Sequence, residues 1–192
     1  GCDTPTLPTR GARINANGKT IFGLKNAHLQ LPALLLSLTA NGAVPIGSKV
    51  SIQFSGLMAS EVTQRLADMP SLLSVYGFSA YDREYFPNIA ARLDYGLHKI
   101  AYSIGAQWIP VEHLTIFGGQ LCVGGSIAAG NLWMDYNDIA NTEFDRVLWR
   151  ASGDAGLKIR DAFNILLRIG AGNSRNRRIM PFIALDIGKL WL

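Results

Sequence analysis

From Val147 to Arg160 the chain alternates without a break. Val147, Trp149, Ala151, Gly153, Ala155, Leu157 and Ile159 occupy the odd positions, while Arg150, Ser152, Asp154, Lys158 and Arg160 are among the even ones. A period of two is the signature of a β-strand, whose successive side chains point to opposite faces. One wholly apolar and one strongly charged face along so long a strand demand two very different surroundings. The pattern recurs. Ile89, Ala91, Leu93, Tyr95 and Leu97 oppose Arg92, Asp94 and His98, and Tyr102, Ile104, Ala106 and Trp108 oppose Ser103, Gly105 and Gln107. Phe117 to Gly124, Phe163 to Ala171 and Ile179 to Gly188 repeat it.

Composition narrows what those surroundings can be. Apolar residues make up 48% of the 192 and charged residues 17%, below the roughly 25% charged of an ordinary soluble domain. That balance favours a membrane or a deeply buried chain, yet no apolar run reaches the roughly 18 residues of a spanning helix. The best candidate, Leu29 to Val44, is interrupted by Gln30, Pro32, Ser37, Thr39, Asn41 and Gly42. Only helices and closed barrels satisfy every backbone group in lipid. Two classes remain: a β-barrel in a membrane, or a compact soluble β protein.

The net charge is +4. Its one dense cluster, Arg175, Arg177 and Arg178, lacks the interleaved aromatics of a nucleic-acid platform. No nucleic-acid partner is expected, and the three arginines read as a solvated loop with lipid headgroups as candidate ligands. Two cysteines, Cys2 and Cys122, exclude a disulfide-dense scaffold and a four-cysteine zinc site.

Residues 1 to 18, rich in Pro, Thr, Gly and Asn, read as an extended leader or tether, leaving 19 to 192 as one barrel domain. From Thr20 to Leu57 the chain is apolar and poorly periodic, with a turn region at Gly42 to Gly47, although Lys49 to Phe54 alternates as a strand. Val62, Leu66 and Met69 predict a short amphipathic helix over Ser60 to Met69, ending before Pro70. Leu72 to Ala80 returns to β character. Connections in the second half alternate short (Pro110 to His113, Asp161-Ala162) and longer (Asn131 to Asp145, Gly172 to Arg178), the asymmetry of an outer-membrane barrel. Reading Asn88 to Trp108 as one strand with a bulge near Lys99 to Ala101 gives about eight strands. Ser60 to Pro70 breaks the scheme, being too long for a short turn. Trp108, Phe163 and Trp191 then fall near the short-turn end, and Trp149, with Phe144 and Tyr95, toward the other; two such bands are what lipid–water interfaces select.

The last strand, Asp186-Ile-Gly-Lys-Leu-Trp-Leu192, resembles the C-terminal signal by which bacterial outer-membrane barrels are recognised for insertion. Asp186, Gly188 and Trp191 match, while Leu192 stands where the terminal aromatic belongs. With the alternating strands, the chain resembles a small bacterial outer-membrane β-barrel, well over Asn88 to Leu192 and loosely before it. Gly1-Cys2 likewise resembles the end of a lipoprotein signal and makes Cys2 a lipidation candidate.

The resemblance implies an all-β, antiparallel, up-and-down transmembrane β-barrel of about eight strands in the bacterial outer membrane. Eight strands leave room inside for side chains only. Arg92, Asp94, Arg150, Asp154, Lys158, Arg160, Arg168 and Asp186 are therefore expected as a lumen charge network, paired with one another or with water. His28, His98 and His113 have no paired spacing, so no metal site is expected. Gly170 to Arg175 lacks the third glycine of a dinucleotide loop, and no cofactor is expected. The chain reads as a non-enzymatic anchor or subunit of an envelope assembly, with membrane lipid and an envelope protein as partners. One alternative is a lipid-modifying or proteolytic barrel enzyme using His98 with Asp94 or Ser103. The other is a soluble, lipocalin-like barrel holding a small apolar ligand, which would bury the odd face of Val147 to Ile159 in a core.

Overall fold

The computed structural model describes residues 10–21, 33–63, 98–110, 115–116, 119–133, 137–138, 147–159, 163–173 and 178–189. These form nine strands: β1 (Gly11–Ile21), β2 (Ala33–Ile46), β3 (Val50–Thr63), β4 (His98–Trp108), β5 (Thr115–Ile116), β6 (Gly119–Trp133), β7 (Leu148–Ile159), β8 (Phe163–Asn173) and β9 (Ile179–Lys189). All belong to one antiparallel sheet in the order β1-β2-β3-β4-β6-β7-β8-β9, with the two-residue β5 attached to β6 alone. The sheet is thus eight strands of up-and-down meander. Among the described residues no ladder joins β1 to β9, which leaves the sheet open.

Connection lengths alternate along the whole chain. At one end lie 22–32, 64–97, 134–147 and 174–178; at the other lie 47–49, 109–118 (which contains β5) and 160–162. The long connection that begins near Ser60 therefore belongs to the long-loop end and does not break the alternation. Chain entry at Gly11 and exit at Lys189 both fall at the short-turn end.

Several expectations for the first half need correction. Residues 11–18 of the expected leader form most of β1, because Arg13, Asn15 and Asn17 alternate with Ala12, Ile14 and Ala16 in register with β2. The turn placed at Gly42 to Gly47 shrinks to Gly47–Lys49, with Gly47 at a φ of 69°. Pro45 fits within β2 because β1 starts opposite Ala43, so the proline takes no bond from that neighbour. Ser60 to Thr63, the start of the expected helix, extend β3 against β2 and, at Ser60, against β4. Their near-helical spacing lost to strand pairing. No bulge occurs at Lys99 to Ala101: β4 keeps unbroken register with both neighbours from His98 to Trp108. Asn131 to Trp133, read as loop, belong to β6. Leu72 to Ala80 and 88–97 lie outside the described residues.

The sheet curls around its buried face. At Gly124, Gly156 and Gly170 a Cβ would press into a backbone carbonyl of the adjacent strand, closer than real side chains approach. Glycine at these inner positions lets neighbouring backbones close up on the concave side. A Gly170→Val variant is expected to lose about 1–3 kcal/mol, the usual cost of overpacking. Its denaturation midpoint measures this, and an unchanged midpoint would show that the curvature does not depend on that contact.

Candidate functional site

The two faces of the sheet differ in an unusual sense: the apolar one is exposed. On β7, Trp149, Ala151, Gly153 and Ala155 are exposed, whereas Leu148 and Arg150 are buried and Ser152 and Asp154 half-buried. The ladders carry this division from strand to strand. One outer row runs Ala12, Gly42, Phe54, Ile104, Ile127, Ala151, Ala171, Pro181, and another Ile46, Val50, Trp108, Val123, Ala155, Leu167, Leu185. Neither row contains a polar side chain. Twenty-two large apolar side chains of the described residues are exposed, with Ile183 at 75% and Ile104 at 51%. Soluble monomers rarely expose a contiguous apolar patch beyond a few hundred Å².

On β2 the outer apolar positions run from 34 to 46, and on β7 from 149 to 159. On four strands the outer apolar segment is nine residues long: 50–58 on β3, 100–108 on β4, 121–129 on β6 and 179–187 on β9. At about 3.4 Å per residue each spans roughly 27 Å along its strand.

The inner face is polar at mid-height. Gln53 Nε2 donates to Gln107 Oε1 (2.6 Å), Ser55 and Ser103 share a hydroxyl bond (2.6 Å), and so do Ser126 and Ser152 (3.1 Å). A relay of contacts follows. Arg150 Nη1 donates to Ser152 Oγ (2.9 Å), Ser152 Oγ donates to Asp154 Oδ1 (3.3 Å), and Arg168 Nε donates to the same carboxylate oxygen (3.0 Å). With Ser126 also donating, Ser152 Oγ uses its single proton and both lone pairs. Arg150 is 2% exposed. Toward the long-loop end the inner face turns apolar, with Leu57, Ala101, Ala128, Leu132 and Leu148 in contact; toward the other, Cys122 and Leu166 pack together. Cys122 Sγ donates to the Gly156 carbonyl at 3.3 Å.

Of the charges expected in the lumen, Arg150, Asp154 and Arg168 therefore meet in one network. Lys158 and Asp186 hold even positions on β7 and β9, in register with Asn164 and Leu166, and their side chains lie outside the described residues, as do Arg92, Asp94 and Arg160. Of the expected interface aromatics, Trp108 is exposed at the short-turn end of β4 and Trp149 at the long-loop end of β7. Phe163 opens β8 at the short-turn end, opposite Lys189. Trp191, Cys2, Arg175 and Arg177 lie outside the described residues, and Arg178 is exposed just before β9.

His98 is buried, 5% exposed, at the long-loop end of β4. Its Nδ1 lies 2.7 Å from Ser60 Oγ on β3, whereas Ser103 is bonded to Ser55 and Asp94 is outside the described residues. The pairing nominated for catalysis, His98 with Ser103, is not formed. Asn173, unmarked in the sequence, ties down the end of β7: its Oδ1 accepts from Trp149 N (2.6 Å) and its Nδ2 donates to the Val147 carbonyl (2.8 Å).

Among the described residues no cluster of three His, Cys, Asp or Glu side chains could hold a metal ion, and no helix is long and apolar enough to cross a membrane. In comparisons with known proteins, no family model matches the chain and no curated protein is significantly similar to it.

Proposed function

We propose that this chain is an eight-stranded β-barrel of the bacterial outer membrane that anchors, or forms a subunit of, a cell-envelope assembly. The observation that carries the proposal is the inversion of its faces, with apolar rows outside and the Arg150–Ser152–Asp154–Arg168 relay inside. A soluble barrel holding an apolar ligand needs the opposite arrangement. Nine-residue outer segments suit a bilayer: a strand crosses it in about 9–11 residues, and roughly 27 Å of strand tilted by about 40° rises about 21 Å, most of the roughly 25 Å of a barrel's apolar band. In lipid an open edge is costly, so the proposal requires β9 to close onto β1 in the membrane, a ladder that the described residues do not form. Eight strands then fill their lumen with side chains, which supports a structural role over a conducting one.

The long connections support the proposal of an envelope partner. Residues 22–32, 64–97 and 134–147 all leave the sheet at one end and exceed what a minimal barrel needs. The test is gel mobility in SDS with and without boiling, on protein extracted in mild detergent, alongside far-ultraviolet circular dichroism. A β-rich spectrum with a boiling-dependent shift is expected. A β-rich protein that stays soluble without detergent and shows no shift would sink the proposal.

A further inference from the structure

A second feature lies on the inner face at the short-turn end, and it stands apart from the envelope reading. Here a hollow of about 260 Å³ is bordered by Arg10, Lys49, Ser51, Gln107 and Ile109. Ser51 and Gln107 face each other across β3 and β4. They are 3% and 5% exposed, yet among the described residues Ser51 Oγ and Gln107 Nε2 have no hydrogen-bond partner. Buried polar atoms are nearly always partnered, so two unpartnered ones beside one hollow point to a ligand.

The chemistry of the donors says which kind. Gln53 Nε2 occupies Gln107 Oε1, which leaves the Gln107 amide N–H groups as the part free to bond. A hydroxyl stands opposite, and two cations border the hollow, Lys49 from the β2–β3 turn and Arg10 from the chain just ahead of β1. The turn itself is fixed by Ile109 N donating to the Lys49 carbonyl (2.8 Å). Among the described residues no carboxylate borders the hollow. The same inner row continues from Gln107 through Gly124 to Asp154, whose carboxylate is engaged by Arg168 and Ser152. Neutral N–H and O–H donors with cations at the rim suit a small oxyanion. We infer that this hollow is a binding site for a small soluble phosphate or phosphomonoester, with Gln107 and Ser51 as its hydrogen-bond donors and Lys49 as its counter-charge.

The experiment is calorimetric titration of the full chain, in a detergent without phosphate, with inorganic phosphate and with glycerol phosphate, and with acetate as the monoanion control. Saturable one-to-one phosphate binding is expected, at least tenfold tighter than acetate, and weakened at least tenfold by Gln107→Leu and by Lys49→Gln. Circular dichroism reports whether each variant is folded. Lys49 is an exposed turn residue, so Lys49→Gln decides the matter if Gln107→Leu fails to fold. Absence of saturable binding, or equal affinity in a folded variant, overturns the inference. So does binding seen only with phosphatidylglycerol vesicles and not with soluble phosphate, which would assign the donors to a lipid headgroup.

Discussion

On the proposed membrane barrel, an Ile104→Arg variant is expected to lose about 2–4 kcal/mol of folding stability in a phospholipid bilayer, the cost of a cation on a barrel's lipid face near the membrane midplane. Ile104 is the central residue of the outer segment 100–108 and is 51% exposed. In water, such an exposed isoleucine could be replaced within about 0.5 kcal/mol. Depth supplies the internal control. Ile46 sits in an outer row at the short-turn end of β2, and Ile46→Arg should cost only about 0–1 kcal/mol. Denaturant titrations in vesicles, read by boiling-sensitive gel mobility, measure both. Equal small losses at the two positions would mean that this face meets water.

Asp154→Ala should be the most damaging change inside. The carboxylate accepts from both Arg168 and Ser152, and the side chains of Asp154 and Arg168 are each 12% exposed. Removing one partner of a buried pair typically costs about 3–5 kcal/mol because the other charge stays behind. Residual exposure places the expected loss near the lower end of that range. Replacing both, as Asp154→Leu with Arg168→Met, should restore most of the stability, since apolar residues of similar size often substitute for a buried ion pair without loss. The comparison is made by denaturation midpoints. If the double variant is as unstable as Asp154→Ala, the pair contributes through its shape and its wider hydrogen bonds, and charge compensation is not the cause.

What could be read from the sequence follows the strength of the alternation. On β7 charged residues oppose Trp, Ala and Leu, and both the strand and its two faces are legible. On β2 the same inner positions hold Ser37, Thr39, Asn41 and Ala43, and the outer ones pass through Ala40 and Gly42. Small residues blur the contrast there, and the triplet Leu34-Leu35-Leu36 breaks its phase altogether. β1 was hidden differently: Gly11, Asn15, Asn17 and Gly18 have the composition of a linker, and only pairing with β2 makes them a strand. The same contrast separates the interior residues. Charges announce themselves, so Arg150, Asp154 and Arg168 were identifiable, whereas Ser51 and Gln107 are ordinary polar members of an alternating strand. What sets them apart is a missing bond partner, which only three dimensions reveal.

The neighbour-to-neighbour order of the strands also dictates a sequence of events. Ile46 pairs with Val50 and Ile159 with Phe163, so these ladders close over tiny loops at small entropic cost. Hairpins can form early and add to one another. The β1–β9 joint that the proposed barrel requires has no such advantage, because its partners stand at opposite ends of the sheet order. It must come last, and until it forms, Gly11–Ile21 and Ile179–Lys189 are two unguarded templates for a wrong strand. Pro181 blunts one of them by withholding an N–H. A factor assisting the birth of this protein would have a single seam to chaperone.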